Sequence, residues 1–102
     1  MLSLYVKTLI PKIRNFFVSQ PIEKAWIFGS CSRGEERPDS DIDIMVRYVG
    51  KDNISILTIT RISSQLGRLL NRKVDLVEDE CILPFAKENA DKDKILIYER
   101  KN

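Results

Sequence analysis

The residues of this 102-residue chain with the clearest chemical potential are two aspartates, Asp41 and Asp43, in the segment DIDIMV. Ile42, Ile44 and Val46 alternate with Asp41, Asp43 and Met45, and this period-2 pattern predicts a β-strand. Side chains two residues apart on a strand project from the same face, with α-carbons about 6.5 Å apart. Two carboxylates held that close repel each other, so the pair needs a cation. The cation is either a metal ion or, on a salt-bridged strand face, an Arg or Lys side chain.

A third aspartate, Asp75, interrupts the otherwise apolar segment KVDLV, where a charge requires a reason. It either points to water at a sheet edge, near Arg72 or Lys73, or joins Asp41 and Asp43 from a neighbouring strand. Three oxygen ligands, without His or paired Cys, specify a hard cation, Mg²⁺ or Mn²⁺, that also takes phosphate oxygens. Two such ions about 3.5 to 4 Å apart would hold the attacking and leaving oxygens of a phosphoryl transfer.

A glycine-serine turn, Gly29 and Ser30, ends the apolar run that precedes the paired aspartates, and Arg33 and Gly34 follow it. Free backbone N–H groups at such a strand-to-helix junction bind phosphate oxygens, and Gly29 allows a close approach. Taken alone, a glycine-serine pair is typical of a plain turn. Its position before the aspartates favours a phosphate-binding role.

The elements around these residues are predicted from hydrophobic spacing. Apolar residues at steps of three and four predict an amphipathic first helix that ends before Pro21. Pro11 implies either that this helix starts near Thr8 or that it kinks there. The apolar run Ala25 to Phe28 predicts a buried strand, in which Trp26 belongs to the core rather than to a base-stacking platform.

Further elements follow the aspartate pair. They are a helix over about Ile54 to Leu70 stopped by a left-handed Asn71, a strand at Lys73 to Val77, a short helix at Ile82 to about Ala90, and a strand at Ile95 to Tyr98. The helix stripe is predicted as Ile59, Ile62, Leu66 and Leu69, and the basic residues Arg61, Arg68, Arg72 and Lys73 as a solvated helix face. These elements predict one α/β (α+β) domain over residues 1–102, with a mixed β-sheet flanked by helices.

Composition excludes several classes of function. The net charge of +2 is too balanced to indicate general binding to nucleic acid or membranes, although an acidic block at residues 34–50 lies between basic stretches. The absence of His removes His-based triads and His zinc sites. Cys31 and Cys81 lack CxxC spacing and are predicted to be free thiols. No apolar stretch reaches about 18 residues, so we expect an unprocessed cytoplasmic protein.

Three segments together resemble a known family. Phe28 to Gly34, Ser40 to Val46 and Val74 to Val77 closely resemble the minimal nucleotidyltransferase domain of the DNA polymerase beta superfamily, and the likeness spans about residues 8–98. The resemblance implies that Gly29 and Ser30 hold nucleotide phosphates, and that Arg33 contacts phosphate or braces the acidic loop. It also implies that Asp41 and Asp43 bind Mg²⁺ (or Mn²⁺), and that Asp75 completes this metal-binding catalytic triad and helps to activate an acceptor hydroxyl.

The resemblance also implies an activity and a partner. We expect transfer of a nucleoside monophosphate, AMP from ATP, to a hydroxyl of a partner protein, with a HEPN-type helical toxin as partner and a tyrosine as acceptor. The palm extension, thumb and nucleic-acid module of larger members are absent, so we expect neither templated polymerisation nor direct nucleic-acid binding. A contact-only antitoxin that keeps a relic nucleotide site, and an enzyme acting on a small molecule, stay open, as does homo-oligomerisation.

Overall fold

A computed structural model describes residues 2–35, 37, 41–50, 54–78 and 94–101, with Ser30 described in its backbone only. The helices in these ranges are α1 (Leu4–Phe17), α2 (Ser30–Arg33) and α3 (Ile56–Leu70). The strands are β1 (Ile22–Ile27), β2 (Ile42–Tyr48), β3 (Val74–Glu78) and β4 (Ile95–Glu99). Their order along the chain confirms the predicted one. The helix predicted at Ile82 to Ala90, like Cys81, lies outside the described residues.

The four strands form one mixed sheet in the order β3-β2-β1-β4. Strand β1 is antiparallel to both β2 and β4, whereas β2 and β3 are parallel and are joined through α3. A parallel pair requires a crossover of this kind, because the chain must return to the same end of the sheet. The mixed sheet with helices packed against it confirms the predicted fold class.

Helix α1 begins at Leu4, before the predicted alternative start near Thr8, which is therefore wrong. The hydroxyl of Ser3 caps the helix by accepting a hydrogen bond from the Val6 backbone N–H at 3.1 Å. Pro11 lies inside the helix on its exposed side, where the missing N–H is the main cost and the ring meets water. The cap and the buried stripe explain why the helix continues through the proline; the stripe consists of Val6, Leu9, Ile13 and Phe17.

Helix α3 ends where the sequence predicts, at a left-handed Asn71 with φ 56° and ψ 39°. Arg72 N–H donates to the Gly67 carbonyl at 3.0 Å and completes the helix stop. The buried stripe is Ile62, Leu66 and Leu70, four residues apart, so the assignment of Leu69 to it is wrong. Leu69 is 47% exposed.

The main core lies between one face of the sheet and helices α1 and α3. Trp26 and Met45 are also buried, but they face each other across β1 and β2 outside this cluster. The Trp26 ring contacts the cations of Arg47 and Lys94, at 5.4 and 4.9 Å from its centroid. The prediction that Trp26 is buried is therefore confirmed.

The pairing of β1 with β4 is irregular at Ile97. Tyr98 pairs with Ala25 and Leu96 with Trp26, so Ile97 is an extra residue without a partner on β1. Its backbone carbonyl instead accepts a hydrogen bond from the Arg14 guanidinium of α1 at 2.5 Å. Between α1 and β4 runs a groove of about 620 Å³, which none of the candidate site residues lines. Within the described residues, no helix is both long and apolar enough to span a lipid bilayer.

Candidate nucleotide and metal site

The parallel pairing of β2 with β3 brings two of the predicted carboxylates together. Asp43 and Asp75 are direct register partners, and neighbouring strands lie about 4.8 Å apart. Partners in a parallel pair project from the same face of the sheet. Asp41 immediately precedes β2, which begins at Ile42 rather than at Asp41 itself. The structure thus gathers Asp41, Asp43 and Asp75 at one place on the sheet.

Burial and two neighbouring carboxylates together shift the pKa of Asp43. Partial burial raises the pKa of Asp43 above its ordinary value of 3.8, and the charges of Asp75 and then Asp41 raise it further. In the part of the chain that the structure describes, no ion pair or hydrogen bond reaches the carboxylate of Asp43 or Asp75. The three carboxylates form an acidic cluster, and within the described residues two of them, Asp43 and Asp75, have no paired cation.

Gly29 lies against this cluster, and two features of its position require a glycine. Its φ of +70° is a conformation that residues with a side chain rarely adopt. A Cβ atom at Gly29 would also lie 2.8 Å from Oδ2 of Asp43, closer than real Cβ contacts. The Phe28 N–H donates to the Asp43 carbonyl at 3.3 Å, which fixes the turn beside β2. The glycine-serine turn and the aspartates thus meet at one site, as their order in the sequence predicts.

The short helix α2 begins at Ser30, whose side chain lies outside the described part of the chain. Ser32 holds the turn: its hydroxyl and its backbone N–H donate to the Gly29 carbonyl at 2.7 and 3.1 Å. Sequence reasoning missed this positioning role, although a serine three residues after a turn glycine is a known signal for such a bond. Cys31 keeps its thiol, as predicted; the group is fully buried and donates to the Asp41 backbone carbonyl at 4.0 Å.

Arg33 is paired with the acidic loop. Its Nε lies 3.0 Å from Oε1 of Glu35, and both side chains are largely exposed. This contact corresponds to the bracing alternative that the sequence left open for Arg33. A phosphate contact by Arg33 stays a prediction.

Two basic residues beyond the end of α3 also contact the loop that leads into β2. Arg72 donates to the Arg37 carbonyl at 2.6 Å, and its guanidinium lies 5.4 Å from the centre of the Tyr5 ring. Nζ of Lys73 lies 3.9 Å from Oδ2 of Asp41. The assignment of Arg72 and Lys73 to a helix face is wrong, because α3 ends at Leu70 and both residues lie beyond it. Lys73 is solvated as predicted, with its side chain 81% exposed.

The donor set of the cluster fits a hard divalent cation, because it consists of carboxylate oxygens with no His and no Cys ligand. In the described ranges, no three acidic or cysteine side chains already converge closely enough to hold one ion. Rotation of the aspartate side chains would be needed to bring their oxygens onto an ion. The raised pKa of Asp43 and the charge deficit both favour such a cation.

The raised pKa of Asp43 predicts a pH dependence of stability for the metal-free protein. The folded protein binds the Asp43 proton more tightly than the unfolded chain, so the free energy of unfolding falls as pH rises above 3.8 through the folded-state pKa. The loss of stability reaches its full size well above the folded-state pKa, where Asp43 is ionised in both the folded and the unfolded chain. Asp43→Asn should remove this contribution and raise stability at neutral pH by about 0.2–1 kcal/mol, as for other cross-strand charge pairs.

Urea unfolding of wild type and Asp43→Asn in chelator, at acidic and neutral pH, measures this effect. The stability gain of the variant should be present at neutral pH and vanish in acid. A gain of the same size at both pH values would contradict a penalty due to the ionised carboxylate.

Comparisons with known proteins identify the family and the fold of the chain. The family model described as polymerase beta nucleotidyltransferase matches residues 11–102. A Methanocaldococcus jannaschii protein named as a putative protein adenylyltransferase is 32% identical over 77 residues, covering 76% of this chain and 81% of the relative.

Two solved structures share the fold. A chain in a toxin-antitoxin complex with AMP-PNP superposes with a TM-score of 0.76 at 21% identity, covering 90% of this chain and 74% of the other. A chain in the complex of a tri-AMPylated HEPN toxin of Shewanella oneidensis with an MNT antitoxin gives 0.71 at 18% identity, covering 93% and 73%.

Proposed function

Because the chain belongs to the polymerase beta nucleotidyltransferase family, we propose that it transfers AMP from ATP to a hydroxyl group of a partner protein. The observation that carries this proposal is the register of Asp43 with Asp75, together with the close approach of Asp43 to Gly29. A cluster of carboxylates next to a phosphate-binding turn suits phosphoryl transfer, in which a protein mainly positions groups and neutralises charge.

Each site residue has a role in this proposal. Backbone N–H groups of the Gly29 and Ser30 turn donate hydrogen bonds to triphosphate oxygens, which can come close because Gly29 has no side chain. Asp41 and Asp43, with Asp75, hold the divalent cation. When bound, Mg²⁺ or Mn²⁺ supplies positive charge that offsets the charge of the triphosphate.

Asp75 has a second role, because it is the exposed member of the cluster. The acceptor oxygen attacks the α-phosphorus of ATP. The bond between this phosphorus and the oxygen that bridges to the β-phosphorus breaks, and pyrophosphate leaves. Asp75 accepts the proton that the acceptor hydroxyl loses. Arg33, near the turn, adds positive charge for the phosphates.

The proposed partner is a HEPN-type helical toxin, and the proposed acceptor is a tyrosine hydroxyl on it. The name of the M. jannaschii relative supports a protein acceptor, and the AMPylated HEPN toxin of the S. oneidensis complex supports a partner of that type. The tyrosine is implied by the family resemblance alone. The proposal places the pair in the cytoplasm and involves neither nucleic acid nor membrane. Whether this chain also forms a homo-oligomer is independent of the transfer.

Intact-mass spectrometry of the protein with its co-purified partner tests the proposal. With ATP and Mg²⁺, the partner should gain the mass of one or more adenylates, and chelator should prevent the gain. A partner that binds but never gains mass would support an antitoxin that acts by contact alone. Labelling of a small molecule instead would contradict a protein acceptor.

A further inference from the structure

Lys73 lies on the same sheet face as the acidic cluster. The register pairs Ile42 with Val74 and Asp43 with Asp75, and the Ile42 N–H donates to the Lys73 carbonyl at 2.9 Å. Val74 points into the core, so the residues on either side of it, Lys73 and Asp75, project away from the core on the same face. Lys73 therefore stands opposite Asp41 as Asp75 stands opposite Asp43.

These cross-strand pairs differ in charge. Asp43 and Asp75 repel each other, whereas Lys73 and Asp41 attract, with 3.9 Å between Nζ and Oδ2. Lys73 is the cation paired with this cluster in the described part of the chain. It thus provides some of the charge that a metal ion would otherwise supply.

The pair is weakly held. The Lys73 side chain is 81% exposed and that of Asp41 is 44% exposed. Exposed pairs of this kind contribute only about 0.2–1 kcal/mol, and the flexible lysine stem can reorient at little cost. Lys73 can therefore leave Asp41 when a better cation arrives, and the nearest new anion would be the triphosphate brought with that cation.

We propose that Lys73 is a further nucleotide-binding residue with two alternating partners. In the nucleotide-free protein its ammonium group neutralises Asp41. When Mg²⁺ and a nucleoside triphosphate bind, Asp41 turns to the metal and Lys73 donates to phosphate oxygens. The inference rests on the proposed function only in using the same metal and nucleotide site; it requires no transfer to a protein.

Lys73→Gln should change two affinities in opposite directions. Without nucleotide, Mn²⁺ should bind about two- to fivefold more tightly, because a competing charge has gone. In excess Mg²⁺, a non-hydrolysable ATP analogue should bind at least about fivefold more weakly, because a charge-assisted hydrogen bond is lost. Electron paramagnetic resonance of free Mn²⁺ and calorimetric titration with the analogue measure the two affinities.

Lys24→Gln is the matched control, since Lys24 pairs with Glu99 at 3.1 Å across β1 and β4 rather than across β2 and β3. It should change neither affinity, and Lys73→Arg should keep both near wild type. Any result other than a tighter Mn²⁺ site with a weaker nucleotide site in Lys73→Gln overturns the proposal; a loss of both affinities would indicate a structural role.

Measurements on the wild type distinguish failure of the proposed function from failure of the proposal for Lys73. Binding of Mg²⁺ and the analogue without AMP transfer to the partner would overturn the proposed function and leave Lys73 to be judged on binding. A wild type that binds no Mg²⁺ and nucleotide would overturn both.

Discussion

Asp43→Asn should lower AMP transfer by on the order of 10³- to 10⁴-fold while the protein stays folded. The amide is nearly isosteric with the carboxylate, but it carries no negative charge with which to hold a divalent cation. The same change relieves repulsion from Asp75 and Asp41, so the variant should be no less stable than wild type. Loss of activity without loss of stability would identify a group that serves the reaction at the expense of the fold.

Transfer by wild type and Asp43→Asn is measured from the rate at which the partner gains mass, and folding from thermal denaturation. Glu99→Gln is the control, because it also neutralises a strand-borne acid, but Glu99 lies on β4, where it pairs with Lys24 and not with the acidic cluster. Glu99→Gln should keep wild-type transfer. Substantial transfer by a folded Asp43→Asn protein would falsify the assignment of the cluster to the active site.

Gly29→Ala should lower transfer by about 10²-fold, a loss typical of catalytic groups displaced by about 1 Å. The new Cβ would lie 2.8 Å from Oδ2 of Asp43, and the aspartate side chain must turn away to make room. The left-handed backbone at Gly29 adds a stability cost of about 1–2 kcal/mol for any residue with a Cβ.

Gly50 provides a control for the backbone part of this effect. Its φ is +78°, close to that of Gly29, but a Cβ there meets nothing within 4 Å. Gly50→Ala should therefore lose similar stability and keep its transfer activity. Comparable losses of transfer in the two variants would show that strain, and not the displaced carboxylate, is responsible.

The alternation of side chains along each strand was enough to predict which face carries the carboxylates, but not the register that pairs β2 with β3. DIDIMV and KVDLV each reveal one polar face, because the side-chain period of a strand is 2. The direct opposition of Asp43 and Asp75 depends on how far α3 carries the chain before β3 begins, and no local pattern encodes that distance. The resemblance to a family therefore supplied the association of Asp75 with the pair, and the sheet supplied its geometry.

Two differences between the sequence-based predictions and the structure have their cause in tertiary packing. Leu69 and Leu70 are both apolar, and only the direction of α3 against the sheet decides that Leu70 is buried. The charge pattern did suggest that Asp75 could face Arg72 or Lys73, but the structure pairs Lys73 with Asp41 instead. Such a contact joins residues 32 positions apart, so it depends on tertiary structure alone.

The unpaired Ile97 and its contact with Arg14 have a consequence for how this protein avoids unwanted association. In the order of the described strands β4 lies at an edge, where exposed N–H and C=O groups can accept a strand from another chain and begin aggregation. Ile97, the extra residue, distorts the regular spacing of those groups, and its carbonyl already accepts a hydrogen bond from the Arg14 guanidinium. A strand from another chain that paired with β4 would therefore meet an irregular hydrogen-bonding pattern at Ile97.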